Sequence, residues 1–219
     1  SERRAEYIKK AVIVGRIDLG TEYFEKNRGY FWGLLETRPF MRAMMNLFYY
    51  LSFEIWDFDT GIEIAKEILS LNPRDNQGIR YQLASVYGIS KKYKEFEDLI
   101  TCKEYEDDTG LEWVYGKIIV SWIKNGPSTK TKKLIDSAIE ENKYVPLYLF
   151  GFKKRPNILP NSYTLGSEEQ AIIYVFHNIG TWANFKELVL YISKHLLDNG
   201  ILFLKNKTEP KFKGKLEKE

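Results

Sequence analysis

Between Arg38 and Ile100 the chain carries one apolar pattern twice, and that repetition limits its fold more than any other feature. Leu47 and Leu83 hold equivalent places 36 residues apart, and Phe58 and Tyr93 mark equivalent turns 35 residues apart. A period of this length fits two amphipathic helices and the turns that join them. One such hairpin has too small a core to stand alone, so neighbours must stack to bury a continuous one.

The first clear unit runs from Arg38 to Pro73. Thr37 is placed to cap a helix whose first turn tolerates Pro39, because a first-turn proline gives up no needed N–H. Met41, Met44, Met45, Phe48, Tyr49, Leu51 and Phe53 cover a broad face of it. After a break at Asp57-Phe58-Asp59, a second helix carries Ile62, Ala65, Ile68 and Leu71, and stops at Asn72-Pro73. The next unit opens with Asp75 as N-cap, then Ile79, Leu83, Ala84 and Tyr87. Lys91-Lys92-Tyr93 forms its turn, and Phe96, Leu99 and Ile100 line the return. A third unit pairs Leu111–Trp122 with a helix of about Thr129–Asn142 across the breaker Gly126-Pro127-Ser128. Ahead of these, Arg3–Leu19 reads as the last helix of an incomplete unit. The chain has no initiator Met and opens directly into helical periodicity, as expected of a piece with upstream repeats removed.

After Pro146 the pattern changes. Residues 151–166 read as an irregular connector. Ser167-Glu168-Glu169-Gln170 matches a capping box and opens a helix, and a last helix spans about Trp182–Leu197. The expected organisation is helical-hairpin repeats over 1–150, the connector, capping helices over 167–199, and a basic, disordered tail over 200–219.

Charge argues for a soluble body without a nucleic-acid face. The net charge is +3, but six lysines and three glutamates lie from Lys205 onward. Removing them from the totals of 33 and 30 leaves 27 basic and 27 acidic residues. A nucleic-acid binder shows its basic excess clustered on the folded body. The single Cys102 rules out an internal disulfide and a CxxC motif. No apolar run reaches the roughly 20 residues that span a bilayer. The expectation is a cytoplasmic protein without a membrane span.

Two segments carry a family resemblance. Phe31-Trp32-Gly33-Leu34-Leu35-Glu36-Thr37-Arg38-Pro39-Phe40-Met41-Arg42-Ala43 and Asn72-Pro73-Arg74-Asp75-Asn76-Gln77-Gly78-Ile79-Arg80-Tyr81 resemble signatures of uncharacterised bacterial tetratricopeptide-repeat proteins. The stretches from Ala138 to Leu149 and from Gly166 to Tyr174 are similar to the same proteins. They also resemble the C-terminal cytosolic part of the suppressor of tumorigenicity 7 family. The resemblance covers roughly 20–195 and implies an all-α fold. Tetratricopeptide-like antiparallel hairpins would form a short right-handed superhelix with a C-terminal helical cap, with no enzymatic activity and no cofactor.

Candidate chemistry concentrates in one polar cluster. Glu36, Arg38 and Arg42 open the first unit, and Arg74, Asp75, Asn76, Gln77 and Arg80 open the next. Arg38 and Arg42 lie four apart and share a helix face. The first helices of such hairpins line the concave side, where paired guanidinium N–H groups grip a carboxylate or phosphate. Asn46 and Tyr49 flank them. Alternatively Glu36 and Asp75 neutralise the arginines internally, and Asn76 and Gln77 bond turn backbone. His177, His195 and Cys102 show no nucleophile or metal-ligand spacing and read as structural. The leading expectation is a protein–protein interaction module holding a peptide or partner protein on a concave surface, with no metal site. Two alternatives stay open: an enzyme or enzyme subunit acting on an anionic substrate at the arginine cluster, and a nucleic-acid-binding helical repeat.

Overall fold

The computed structural model describes residues 2–200, 202–203 and 211–212. These residues are α-helical apart from one antiparallel pair of two-residue strands, β1 (Leu202–Phe203) and β2 (Lys211–Phe212), with Leu202 opposite Phe212. The rest of the expected 200–219 tail beyond Gly200 lies outside the described residues. None of the described helices is long and apolar enough to cross a membrane. The chain divides into two compact units, Ser1–Val86 and Tyr87–Glu219. The boundary falls inside the stretch read above as one array.

Unit 1 holds α1 (Glu2–Leu19), α2 (Thr21–Asn27), α3 (Arg38–Tyr49), α4 (Phe58–Leu71) and the start of α5 (Ile79–Ile89). Helix α3 packs on both α1 and α4, because Phe40, Met41, Met44, Leu47 and Phe48 place buried side chains at helical spacing. Gly15 lets α1 approach closely, since a Cβ there would lie 2.8 Å from the Phe40 ring. Phe24 meets Phe31 and Phe40 at 4.8 and 5.2 Å between ring centres. Helix α3 runs into one π-helical turn, Tyr50–Glu54. Asp57 then caps α4, accepting from Thr60 N at 3.2 Å. Helix α4 thus begins at Phe58, inside the expected break.

One local expectation is corrected here. Thr37 does not cap α3: it is buried, and its hydroxyl donates backwards to the carbonyls of Phe31 and Leu34. The short helix α2 and the 3₁₀ turn Phe31–Gly33 fill a stretch without apolar periodicity. Asp75 does cap α5, but from outside the usual position, as described below.

Unit 2 holds the end of α5, then α6 (Tyr93–Ile100), α7 (Leu111–Asn125), α8 (Thr129–Glu141), α9 (Val145–Leu149), α10 (Glu168–Ala183) and α11 (Lys186–Asp198). Contacts join α6 to α7, α7 to α8, α9 to α10 and α10 to α11. Trp182 closes α10 and does not begin the last helix; Asn184 ends the one helix and Phe185 leads into the next. Its indole N–H donates to the Tyr174 hydroxyl at 2.9 Å, and its ring stands edge-on to Tyr115. The end of α5 reaches α10 through paired glycines. A Cβ on Gly88 would lie 2.3 Å from Thr181, and one on Gly180 would lie 2.9 Å from Ile89. The Asn184 amide then donates to the carbonyls of Gly88 and Ile89 at 3.0 and 3.2 Å. That gives the Ile89 carbonyl a donor at the helix end and the Gly88 carbonyl a second one, beside Lys91 N.

Candidate functional site

All ten residues of the expected cluster and its flanks lie in unit 1, and its geometry starts from the turn before α5. Asp75 takes a left-handed conformation (φ 47°), which aspartate tolerates better than most residues. There its buried carboxylate accepts from Ile79 N at 2.8 Å and Arg80 N at 3.0 Å. These are the first two free N–H groups of α5, at the positive end of its dipole. The same carboxylate pairs with the Arg80 guanidinium at 2.9 Å, with side-chain exposures of 1% and 18%. The guanidinium also lies 4.1 Å from the centre of the Tyr81 ring and donates to the Tyr81 hydroxyl at 2.6 Å. Arg80 is therefore a member of an internal network.

Arg38 is engaged as well. Its Nε donates to the Trp32 carbonyl at 2.9 Å, and its guanidinium lies 5.5 Å from the Trp32 ring. Glu36 does not neutralise an arginine: its carboxylate accepts from the Tyr23 hydroxyl at 2.9 Å. Its own backbone N–H and that hydroxyl hold the carboxyl below its ordinary value. An acid so held stays ionised near neutrality, a state opposite to that of a general acid. Tyr23 and Trp32 were not legible as partners, because they lie 13 and 6 residues away across an irregular turn.

Arg42, Asn46 and Tyr49 follow at i, i+4 and i+7 on α3 and so share one face. Arg42 and Asn46 are exposed. Tyr49 is half-buried against Phe48 and Phe53, and burial raises its phenol. Gln77 ties the turn to this face: its amide N–H donates to the Met41 carbonyl at 3.2 Å, one residue before Arg42. Arg74 and Asn76 project from the turn, exposed. Neither Arg42 nor Arg74 has an ion-pair partner among the described residues. The Gln77 carbonyl oxygen and the Asn72 amide nitrogen are buried without a hydrogen-bond partner.

The cluster thus divides. Asp75, Arg80, Glu36 and Arg38 are spent on local architecture. Arg42, Asn46 and the exposed part of Tyr49 form an outward stripe, with Arg74, Asn76 and Gln77 on the turn. Such a set offers guanidinium and amide donors beside an aromatic ring and can hold a carboxylate-bearing chain.

The remaining candidates lie in unit 2. His195 bonds Asp136 at 2.7 Å, and burial lowers the His177 imidazole below its ordinary value. Cys102 is half-buried. Among the described residues no group of three His, Cys, Asp or Glu is arranged to hold a metal ion. Comparison of the chain with protein-family models, curated proteins and solved structures returns no match.

Proposed function

We propose that the chain is a protein–protein interaction module, and that unit 1 holds an acidic peptide segment of a partner along the outward stripe of α3. The carrying observation is the contrast among its arginines: Arg38 and Arg80 are held by internal partners, while Arg42 and Arg74 are exposed without ion pairs. Peptide carboxylates would meet these two guanidinium groups. Asn46 and Asn76 would bond the peptide backbone, Gln77 would hold the turn against α3, and Tyr49 would pack an apolar side chain. The finer architecture expected from the sequence, a tetratricopeptide-like superhelix with a C-terminal cap and a concave binding face, belongs to the same proposal. It is supported by helices α4 and α6 starting at Phe58 and Tyr93, the two residues read as equivalent turns.

The test is a displayed peptide library panned against the wild type and against Arg42→Glu/Arg74→Glu, with circular dichroism to show that the variant folds. Arg80→Glu is unsuitable, because it would set a carboxylate against Asp75 and probe folding. Acidic peptides enriched by the wild type and lost by the variant support the reading. Equal enrichment by both proteins removes the stripe as the site.

A further inference from the structure

Helix α1 is apolar on two sides, and only one of them is covered. Its inner side meets α3 through Val12 and Gly15, and Arg4 and Arg16 anchor it to Glu54 and Glu67 at 2.6 and 2.5 Å. Its outer side exposes Tyr7 (62%), Ile13 (56%), Val14 (53%) and Ile17 (75%). Four large apolar side chains grouped on the exposed side of an otherwise charged helix mark a contact surface.

The charges on the outer side say what covers it. Val14 lies midway between Lys10 and Asp18, each about one turn away and on the same face. Both are exposed, and neither has a partner among the described residues. We infer that this face binds the same face of a second copy, with the two α1 helices antiparallel and crossing at Val14. A two-fold axis there sets Val14 on Val14, Ile17 over the partner helix beside Ala11, and Lys10 opposite Asp18 on both sides. A parallel pairing would instead oppose Lys10 to Lys10 and Asp18 to Asp18. The interface has an apolar centre and a charged, self-complementary rim, the anatomy of a protein–protein contact.

The test is sedimentation equilibrium of the full chain, from low micromolar to several hundred micromolar. The expected species is twice the 25.8 kDa chain mass. Ile17→Glu buries a charge at the centre and lowers dimer affinity by about a hundredfold or more. Its circular dichroism, and its melting at concentrations where both proteins are monomeric, stay unchanged, because the side chain faces solvent in one copy. Lys10→Glu and Asp18→Lys each weaken the dimer about fivefold at low salt, and the double variant regains it. In a Cys102→Ser background, Val14→Cys cross-links across the axis. Tyr7→Cys does not, because antiparallel helices hold those positions about 21 Å apart. A wild type that stays monomeric, a dimer that survives Ile17→Glu, or cross-linking through Tyr7→Cys overturns the proposal. Capture of a different chain by this face in a monomeric protein does so too.

Discussion

Two polar networks, one in each unit, use the same residue types to opposite ends. In unit 2, Asn142 is buried and donates to the Ser167 carbonyl at 2.9 Å and to the Gln170 side-chain oxygen at 3.2 Å. Its own oxygen accepts from Tyr144 N at 3.0 Å, and Gln170 also accepts from Gly166 N at 2.8 Å. The Asn142 amide and the Gln170 oxygen are all paired, and the network ties the end of α8 to the start of α10. In unit 1 the turn before α5 closes only around Asp75. One amide atom each of Gln77 and Asn72 is left without a partner, and Arg42 and Arg74 remain exposed. A closed network specifies structure; exposed guanidinium groups at the edge of an open one keep capacity for another molecule.

The sharpest break in this comparison is Asp75→Ala. It removes two helix-end acceptors and breaks the ion pair between the buried Asp75 carboxylate and the largely buried Arg80 guanidinium. Losing one partner of such a pair costs about 3 kcal/mol. The expected outcome is a lower urea midpoint, with the earliest loss of amide protection in α5. If the midpoint holds, Asp75 is not part of the local architecture and the division of the site fails.

Asn142→Ala should cost somewhat less, about 2 kcal/mol, by breaking the bonds to the Ser167 carbonyl and Gln170 and leaving the Tyr144 N–H without its acceptor. It should leave peptide capture by unit 1 unchanged. Loss of capture in a folded Asn142→Ala protein would show that the closed network is not purely structural. Gly88→Ala comes next, at about 1–2 kcal/mol of overpacking against the Thr181 side chain. Thermal melting reads this, and pairing the change with Thr181→Ser should recover part of it, since the methyl group is the nearest obstacle.

These networks also show what was legible in the amino-acid order. Helix existence was plain, because Met41, Met44 and Phe48, or Ile62, Ala65 and Ile68, repeat at the helical period. Local caps were legible where the bond is short in sequence. Ser167 does accept from Gln170 N at 3.2 Å, although the Gln170 side chain turns to Gly166 and Asn142 and does not return to Ser167. Thr37 failed as a cap because two carbonyls behind it, on an aperiodic turn, compete for its hydroxyl. The π-helical turn after Tyr49 has no signature of spacing. Within the cluster, the types of group were readable and their partners were not. Arg80 could have faced outward; only the left-handed turn at Asp75 brings the carboxylate round to it.

The smallest effect separates the units by pH. Both histidines of the chain, His177 and His195, lie in unit 2, so unit 1 has no imidazole to titrate. Burial holds the His177 imidazole below its ordinary value of 6.5, favouring its neutral form in the fold. Above pH 6.5 it is neutral folded and unfolded, and stability does not depend on it. As pH falls below 6.5 the unfolded chain takes up a proton that the fold refuses, and stability drops until the lower, folded value is passed. Hydrogen exchange between pH 7 and 5.5 should therefore show α10 opening more readily while α3 and α4 hold steady. His177→Gln should flatten that response in α10 and leave His195 with its Asp136 contact in place. A slope that persists in the variant would move the acid sensitivity to another group of unit 2. A slope in α3 as well would mean that the two units open together, and the separation between them would lose its energetic meaning.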